Sequence, residues 1–238
     1  MKPTMRTYLS YGGGVNSTAM MLLLLNEGWE FEAVYVDHGC DWPETREYVA
    51  MLAERYPITI LKPNYQGFEN LYEYAWHMRM IPFMHVRWCT SRFKVRPLHA
   101  YFQKPCFELI GIDFGESKRA RMSSLKGVES RWPLIEHEID RSGCEEIISA
   151  HGLPVPTKSG CFICPFQRIS QWKLLRRVHP ELFCKAVELE KRNRVAALER
   201  DKKYYTLHGS GKPLSVLIGE NQRVMWKEMA YPPCSCGL

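Results

Sequence analysis

The sequence predicts an α/β fold: a parallel five-stranded sheet flanked by helices, followed by a mainly helical, cysteine-bearing C-terminal region. Three observations predict it. Short β-rich runs alternate with helical runs over the first 155 residues, a pattern that means parallel strands joined by crossover helices. The first strand runs straight into Gly12-Gly13-Gly14 and then into an apolar helix. Near residue 155 this alternation gives way to a cysteine loop and long helical runs, so a soft boundary divides 1–155 from 156–238.

The elements follow in order. Residues 6–10 read as a strand and 19–25 as a buried helix. Residues 31–36 alternate and are rich in β-formers, giving a second strand that ends at Asp37-His38. Residues 44–56 carry apolar positions at Tyr48, Val49, Leu52 and Ala53, which is helical spacing with Pro43 at the start. Residues 58–61 form a third strand, 70–78 an aromatic helix, 87–103 a basic stretch and 106–111 a fourth strand. Trp132-Pro133-Leu134-Ile135 is the candidate fifth strand, and 140–150 a helix. Residues 170–203 are helical with a break at Pro180; Glu188, Glu190, Lys191, Arg192 and Arg194 read as a solvated face, with Leu189, Val195 and Leu198 inward.

At 238 residues the chain can bury a full core. A hydrophobic content of 45% with 24% charged residues is that of an ordinary soluble globular protein. The longest apolar run, 19–25, is too short to span a bilayer, and 1–4 lead directly into the first strand, so the expectation is a cytoplasmic protein without a membrane. Nine cysteines and no export signal argue against a disulfide framework and for metal or catalytic thiols. The net charge of +6 suits a polyanionic ligand, for which a nucleotide suffices.

The glycine loop carries the strongest chemistry. Glycine lets backbone turn tightly and approach a ligand, and a helix start offers unpaired N–H groups with a partial positive charge. Ser10, Gly12, Gly13, Gly14, Asn16, Ser17 and Thr18 therefore read as a phosphate cradle, with hydroxyls adding donors. No Gly-Lys-Ser/Thr follows, so it is not a Walker loop, and it lacks the Gly-x-Gly-x-x-Gly of a dinucleotide fold. Asp37 and His38 end a strand on the same sheet edge, either as ribose or adenine contacts or as a turn. Arg92, Lys94, Arg96, Lys118, Arg119 and Arg121 form two basic clusters, either anion clamps or a solvated face. Cys161-x-x-Cys164 has metal-ligand spacing on a Gly/Pro-flanked loop; a redox dithiol or two structural cysteines are the alternatives. Cys40, Cys106 and Cys184 read as structural.

The loop resembles the PP-loop of the adenine-nucleotide α-hydrolase-like (HUP-type) superfamily, with Asn16 where pyrophosphatases carry Asp. Four more segments, in the same order, resemble the phosphoadenylyl-sulfate (PAPS) reductase-like family. They are Cys89-Thr90 through Lys94 to Pro97, Gly111-Ile112-Asp113 with Glu116-Ser117 to Arg121, Pro133-Leu134-Ile135 with Gly152-Leu153-Pro154, and Ser159-Gly160-Cys161 through Cys164-Pro165. The resemblance covers about residues 7–167.

The resemblance implies a nucleotide site formed by the loop with Asp37, His38, Lys94, Arg96, Glu116, Ser117, Arg119 and Arg121. It makes Cys89 a third ligand beside Cys161 and Cys164 for a [4Fe-4S] cluster, with zinc as the alternative. A fourth ligand would come from Cys144, Cys234 or Cys236, or the cluster keeps an open iron. The tail Cys234-Ser235-Cys236-Gly237-Leu238 resembles the C-terminal nucleophile segment of sulfonucleotide reductases, without its Glu and His, making Cys236 and Cys234 the candidate catalytic thiols. The implied activity is ATP binding with Mg, cleavage between the α- and β-phosphates and iron–sulfur-dependent sulfur transfer, as in tRNA thiolation and DNA phosphorothioation enzymes. Reduction of PAPS or adenylyl sulfate to sulfite, and nucleotide sensing without catalysis, are the other readings. The implied partners are an adenine nucleotide, a sulfur donor or thioredoxin-like protein, and in the first reading a nucleic-acid acceptor.

Overall fold

In the computed structural model, residues 5–123, 125–157 and 159–218 are described. Five strands form one all-parallel sheet: β1 (Arg6–Tyr11), β2 (Glu32–Val36), β3 (Ile58–Leu61), β4 (Cys106–Ile110) and β5 (Val128–Arg131), in the order β3-β2-β1-β4-β5. Strand order reverses across β1, so the crevice between the carboxyl ends of β1 and β4 is the topological switch point, where ligands bind in open α/β sheets.

The helices are α1 (Val15–Asn26), α2 (Pro43–Ala53), α3 (Leu71–His77), α4 (Trp88–Thr90), α5 (Arg96–Tyr101), α6 (Pro133–Glu136), α7 (Arg141–Ala150), α8 (Ile169–Val178), α9 (Pro180–Glu199) and α10 (Leu214–Leu217). A π-helical turn, Ser91–Val95, joins α4 to α5, and a 3-10 segment, Phe114–Arg119, follows β4. Caps fall where the side chains provide them: Asn70 accepts from Tyr72 and Glu73 N–H, and Asp140 from Gly143 N–H at 2.9 Å.

The central strands are buried on both faces, Thr7 and Ser10 of β1 included, so the alternation expected over 31–36 does not divide β2 into an inward and an outward side. On one face Leu9, Tyr11 and Leu109 pack with Met20, Met21, Leu24, Leu52 and Ile148. On the other, Tyr8, Val34 and Cys106 pack with Leu98 and Phe102 of and just after α5. A third core surrounds Trp172 and takes in Cys40, Trp42, Leu71, Tyr74 and Phe93 as well as Phe162, Phe183 and Leu189. Segments on both sides of residue 155 therefore share it.

Two expectations are corrected. The fifth strand is Val128–Arg131, and Pro133–Glu136 is a helical turn. Val128 and Ser130 face inward while Glu129 is exposed, a short period-2 pattern, whereas Pro133 lacks an N–H and has the φ of a first helical turn. On α9 the inward stripe is Ala186, Val187, Leu189, Glu190 and Ala196, while Val195 and Leu198 are exposed. Glu190 is buried because its carboxylate accepts from the N–H groups of Leu207 at 2.8 Å and Leu214 at 2.7 Å. It pins the segment that follows α9. Glu190→Ala orphans both donors and is expected to cost about 1–3 kcal/mol for each; faster amide exchange at 207 and 214 with a lowered Tm checks this.

Candidate functional site

The glycine loop sits at the carboxyl end of β1, at the switch point. Tyr11 is the last residue of β1, and its buried hydroxyl hydrogen bonds with Thr18 Oγ1 at 3.0 Å, tying the strand end to the start of α1. Gly13 has φ +67°, and a Cβ there would meet Val49 and Thr45 at 2.8 and 2.9 Å, so only glycine fits. Gly14 caps α1. Ser17 Oγ accepts from the N–H groups of Gly12 at 3.2 Å and Gly14 at 3.3 Å, the place an anionic oxygen would take. The first N–H groups of α1 have no carbonyl one turn back, leaving them for an acceptor outside the helix.

Around this loop lies one cavity. Its lining includes Ser10, Gly12, Gly14, Asn16 and Ser17 from the loop, His38 and Asp41 from the β2 end, and Gly111, Ile112 and Glu116 from the β4 end. Lys94, Arg87 and Arg141 add positive charge. Cys89, Cys161 and Cys164 line the same cavity. The cysteine loop is stitched in place by backbone: Trp42 N–H donates to Gly160 O, Phe162 N–H to Cys40 O, and Asp41 bridges Cys161. It is packed so tightly against the glycine loop that a Cβ on Gly14 would collide with Ser159 Oγ.

Several sequence-designated residues sit elsewhere. Gly13 and Thr18 are buried beneath the loop and do not line the cavity, nor do Asp37, Arg96, Ser117, Arg119 and Arg121. Asp37 accepts from Gly39 N–H and meets Arg46 at 3.5 Å. Arg96 lies over the Tyr65 ring, Arg119 pairs with Glu116, and Arg121 donates to the carbonyls of Lys118 and Ala120. Ser10 lines the cavity while its hydroxyl donates to Glu108 Oε1 at 2.8 Å; the other Glu108 oxygen meets His99 at 3.1 Å. Cys144, offered as a fourth ligand, is fully buried in the core beside α1 and off the cavity, and burial pushes its thiol up to about 12. Cys184 is exposed on α9, so it is not the buried structural residue the sequence suggests. Cys234 and Cys236 lie outside the described residues.

Asp41 and Arg141 escape a reading of the sequence, while Asp113 enters it only within a family segment and Cys40 only as structural. Asp41 is buried, accepting from Tyr35 Oη at 2.6 Å and meeting His38 Nε2 at 3.3 Å. Burial would push its carboxyl up, but the His38 imidazole, the Lys94 ammonium and the hydrogen bond from Tyr35 outweigh burial and hold it well below the usual carboxylate range. A depressed carboxyl contributes stability that is present above its unfolded value, about pH 4, and lost as pH falls through the folded value. Asp41→Asn is therefore expected to cost about 1–3 kcal/mol at neutral pH and to flatten the acid limb of a pH–stability curve measured by urea titration. Asp113 accepts from Asn16 Nδ2 at 2.9 Å and Glu116 N–H at 3.0 Å, and Arg141 donates to Asn16 Oδ1 at 3.3 Å.

The thiols are a soft donor set. Burial, then hydrogen bonding and proximity to Cys40, push the Cys161 thiol well up. Burial and the neighbouring Cys161 raise Cys89 too. Among the described residues no three His, Cys, Asp or Glu side chains converge as ligands on a single ion. Cys89, Cys161 and Cys164, which line one cavity, are the thiols that would hold an iron–sulfur cluster.

Among the described residues no helix is long and apolar enough to cross a membrane. The sequence profile of the phosphoadenosine phosphosulfate reductase domain matches residues 6–123. Two uncharacterized proteins of Methanocaldococcus jannaschii are each 24% identical, over 201 and 204 residues, or 77% and 76% of this chain. The chain spans 47% and 40% of their lengths, half or less of each. Among solved structures, a PAPS reductase from Candida auris in complex with phosphate is similar with TM-score 0.47 and 18% identity, over 63% of this chain and 75% of that one. A predicted subunit of tRNA methyltransferase from M. jannaschii gives TM-score 0.35 and 13% identity, over 63% and 90%. Residues 6–123, which hold β1 to β4 and the glycine loop, belong to the phosphoadenosine phosphosulfate reductase domain family, a nucleotide-binding PP-loop family.

Proposed function

We propose that this chain is an adenine-nucleotide-dependent enzyme of sulfur chemistry, which cleaves ATP between its α- and β-phosphates and supports sulfur transfer to the adenylylated acceptor. The observation that carries the reading is the shared cavity: the anion-binding loop and the thiols of Cys89, Cys161 and Cys164 line the same walls. An acceptor oxygen attacks the α-phosphorus, the α–β bridging bond breaks and pyrophosphate leaves. A sulfur nucleophile, delivered by a sulfur-donor protein, then displaces AMP, which departs with the electron pair of the acceptor's C–O or P–O bond. The glycine loop and the start of α1 hold the phosphates, and the oriented N–H groups offset charge that develops on the leaving group. The packing of Ser159 on Gly14 keeps the thiols beside them. A cluster held by Cys89, Cys161 and Cys164 would supply a soft site for sulfide.

One observation favours a second reading, reduction of PAPS or adenylyl sulfate. Asn16, engaged with Asp113 and Arg141, gives the loop no carboxylate for a metal ion. In that reaction a cysteine thiolate, Cys236 or Cys234, attacks the sulfate sulfur and the nucleotide phosphate leaves. A thioredoxin-like dithiol then releases sulfite and is itself oxidised to a disulfide. Anaerobically purified protein is assayed for iron, for AMP plus pyrophosphate from ATP, and for sulfite from PAPS. Pyrophosphate release supports the first reading. Sulfite release abolished by Cys236→Ser overturns it in favour of the second. Binding without either reaction overturns both in favour of a nucleotide sensor.

A further inference from the structure

Three fixed cations line the cavity: Arg87, Lys94 and Arg141. Arg87 lies over the Phe166 ring, and Lys94 acts on the buried Asp41. Arg141, the first residue of α7 and outside the segment that matches the family, is placed differently. Its Nε donates to Glu145 Oε1 at 2.9 Å and its Nη1 to Asn16 Oδ1 at 3.3 Å. A guanidinium carries five N–H donors in a rigid fork, and these two bonds fix its plane beside the first turn of α1.

Asn16 acts as a splint. Its Nδ2 donates to Asp113 Oδ2 at 2.9 Å, which turns Oδ1 toward Arg141. An aspartate at that position could not donate to Asp113. The carboxylates that remain near the loop are also engaged: Asp113 Oδ1 with Glu116 N–H, Glu116 with Arg119, and Asp41 with Tyr35 and His38. A Mg²⁺ ion asks for one or two carboxylates beside phosphate oxygens, and each carboxylate here would have to give up a partner to serve it.

We propose that Arg141, held by Asn16 and Glu145, binds the phosphate oxygens of the ligand at the glycine loop, so that a guanidinium rather than a divalent cation neutralises the bound anion. The proposal rests on the reading of the cavity as a phosphate site and concerns binding, not turnover. Arginine meets phosphate through two parallel N–H···O bonds, which fixes orientation as well as charge. The cation comes from the β5–α7 side of the switch point and the N–H donors from α1, so one phosphate group can meet both.

Calorimetric titration of pyrophosphate and of ATP, each in EDTA and in Mg²⁺, tests it on the wild-type protein, Arg141→Gln and Arg141→Lys. The wild type is expected to bind in EDTA with an affinity within about threefold of that in Mg²⁺, and Arg141→Gln to lose at least about tenfold for both ligands, the size of a charge-assisted hydrogen bond. Should Arg141→Gln fail to fold, Arg141→Lys decides: it keeps the charge without the fork, and a loss of at least about threefold supports the proposal. Wild-type affinity in the variant that folds, or binding by the wild type that EDTA abolishes, overturns it. Pyrophosphate bound without ATP supports the proposal and overturns the nucleotide reading alone. Neither ligand bound in either buffer overturns both.

Discussion

Gly111→Ala is expected to weaken nucleotide binding by at least about tenfold, the equivalent of about 1.4 kcal/mol, and to lower Tm by several degrees. Gly111 follows β4 at the switch point, and a Cβ there would lie 2.9 Å from Ser17 N and 3.0 Å from Ser17 Cα. Both are backbone atoms of the first turn of α1, so no side chain can swing aside. β4 cannot retreat either, since its pairing with β1 extends to Ser10 opposite Ile110. The helix start must move, and overpacking of this kind costs about 1–3 kcal/mol. The displaced part is the one that presents N–H groups to phosphate. Gly28→Ala is the control: φ is +71° with nothing within 4 Å, so backbone strain lowers stability while binding is kept. Thermal melts and nucleotide titrations on the two variants separate a damaged site from a merely weakened fold.

Asn16→Asp is expected to damage the site, although it restores the aspartate of the PP-loop pattern. The new carboxylate would stand beside Asp113, which now accepts from Asn16 Nδ2 at 2.9 Å. A hydrogen bond becomes a like-charge contact, so at neutral pH one carboxyl must take up a proton or move away. The cost is at least about one pKa unit, about 1.4 kcal/mol, and attraction to Arg141 offsets part of it. Phosphate affinity is expected to fall about tenfold as the pair reorganises. The stability deficit should narrow as pH falls below about 5, where protonation of one carboxyl relieves the repulsion. A pH series of urea melts on wild type and variant checks the sign; a deficit that widens toward acid contradicts this account.

The sheet and its glycine loop were legible because their signals are local. Consecutive glycines after a strand, hydroxyls at a helix start and short β-rich runs alternating with helical ones need no partner to be recognised. β5 was missed because four residues, Val128–Arg131, carry little pattern, while the apolar Leu134-Ile135 beside them mimics a strand. Glu190 was read as solvated because its partners, the N–H groups of Leu207 and Leu214, are 17 and 24 residues away. The site divides the same way. The basic clusters were visible, but only tertiary structure shows that Lys94 reaches the cavity while Arg96 stacks on Tyr65 and Arg119 is taken by Glu116. Asn16 looked like a lost metal ligand; its place between Asp113, 97 residues on, and Arg141, 125 residues on, gives it a positive role.

The central claim is that a nucleotide lies with its phosphates on the glycine loop, facing the thiols. A crystal structure of the protein with a non-hydrolysable ATP analogue tests it most directly. The account predicts phosphate density within hydrogen-bond distance of the N–H groups between Gly12 and Ser17, in the cavity lined by Cys89, Cys161 and Cys164. An analogue bound elsewhere on the molecule, with Ser17 Oγ still accepting from Gly12 and Gly14, would contradict it.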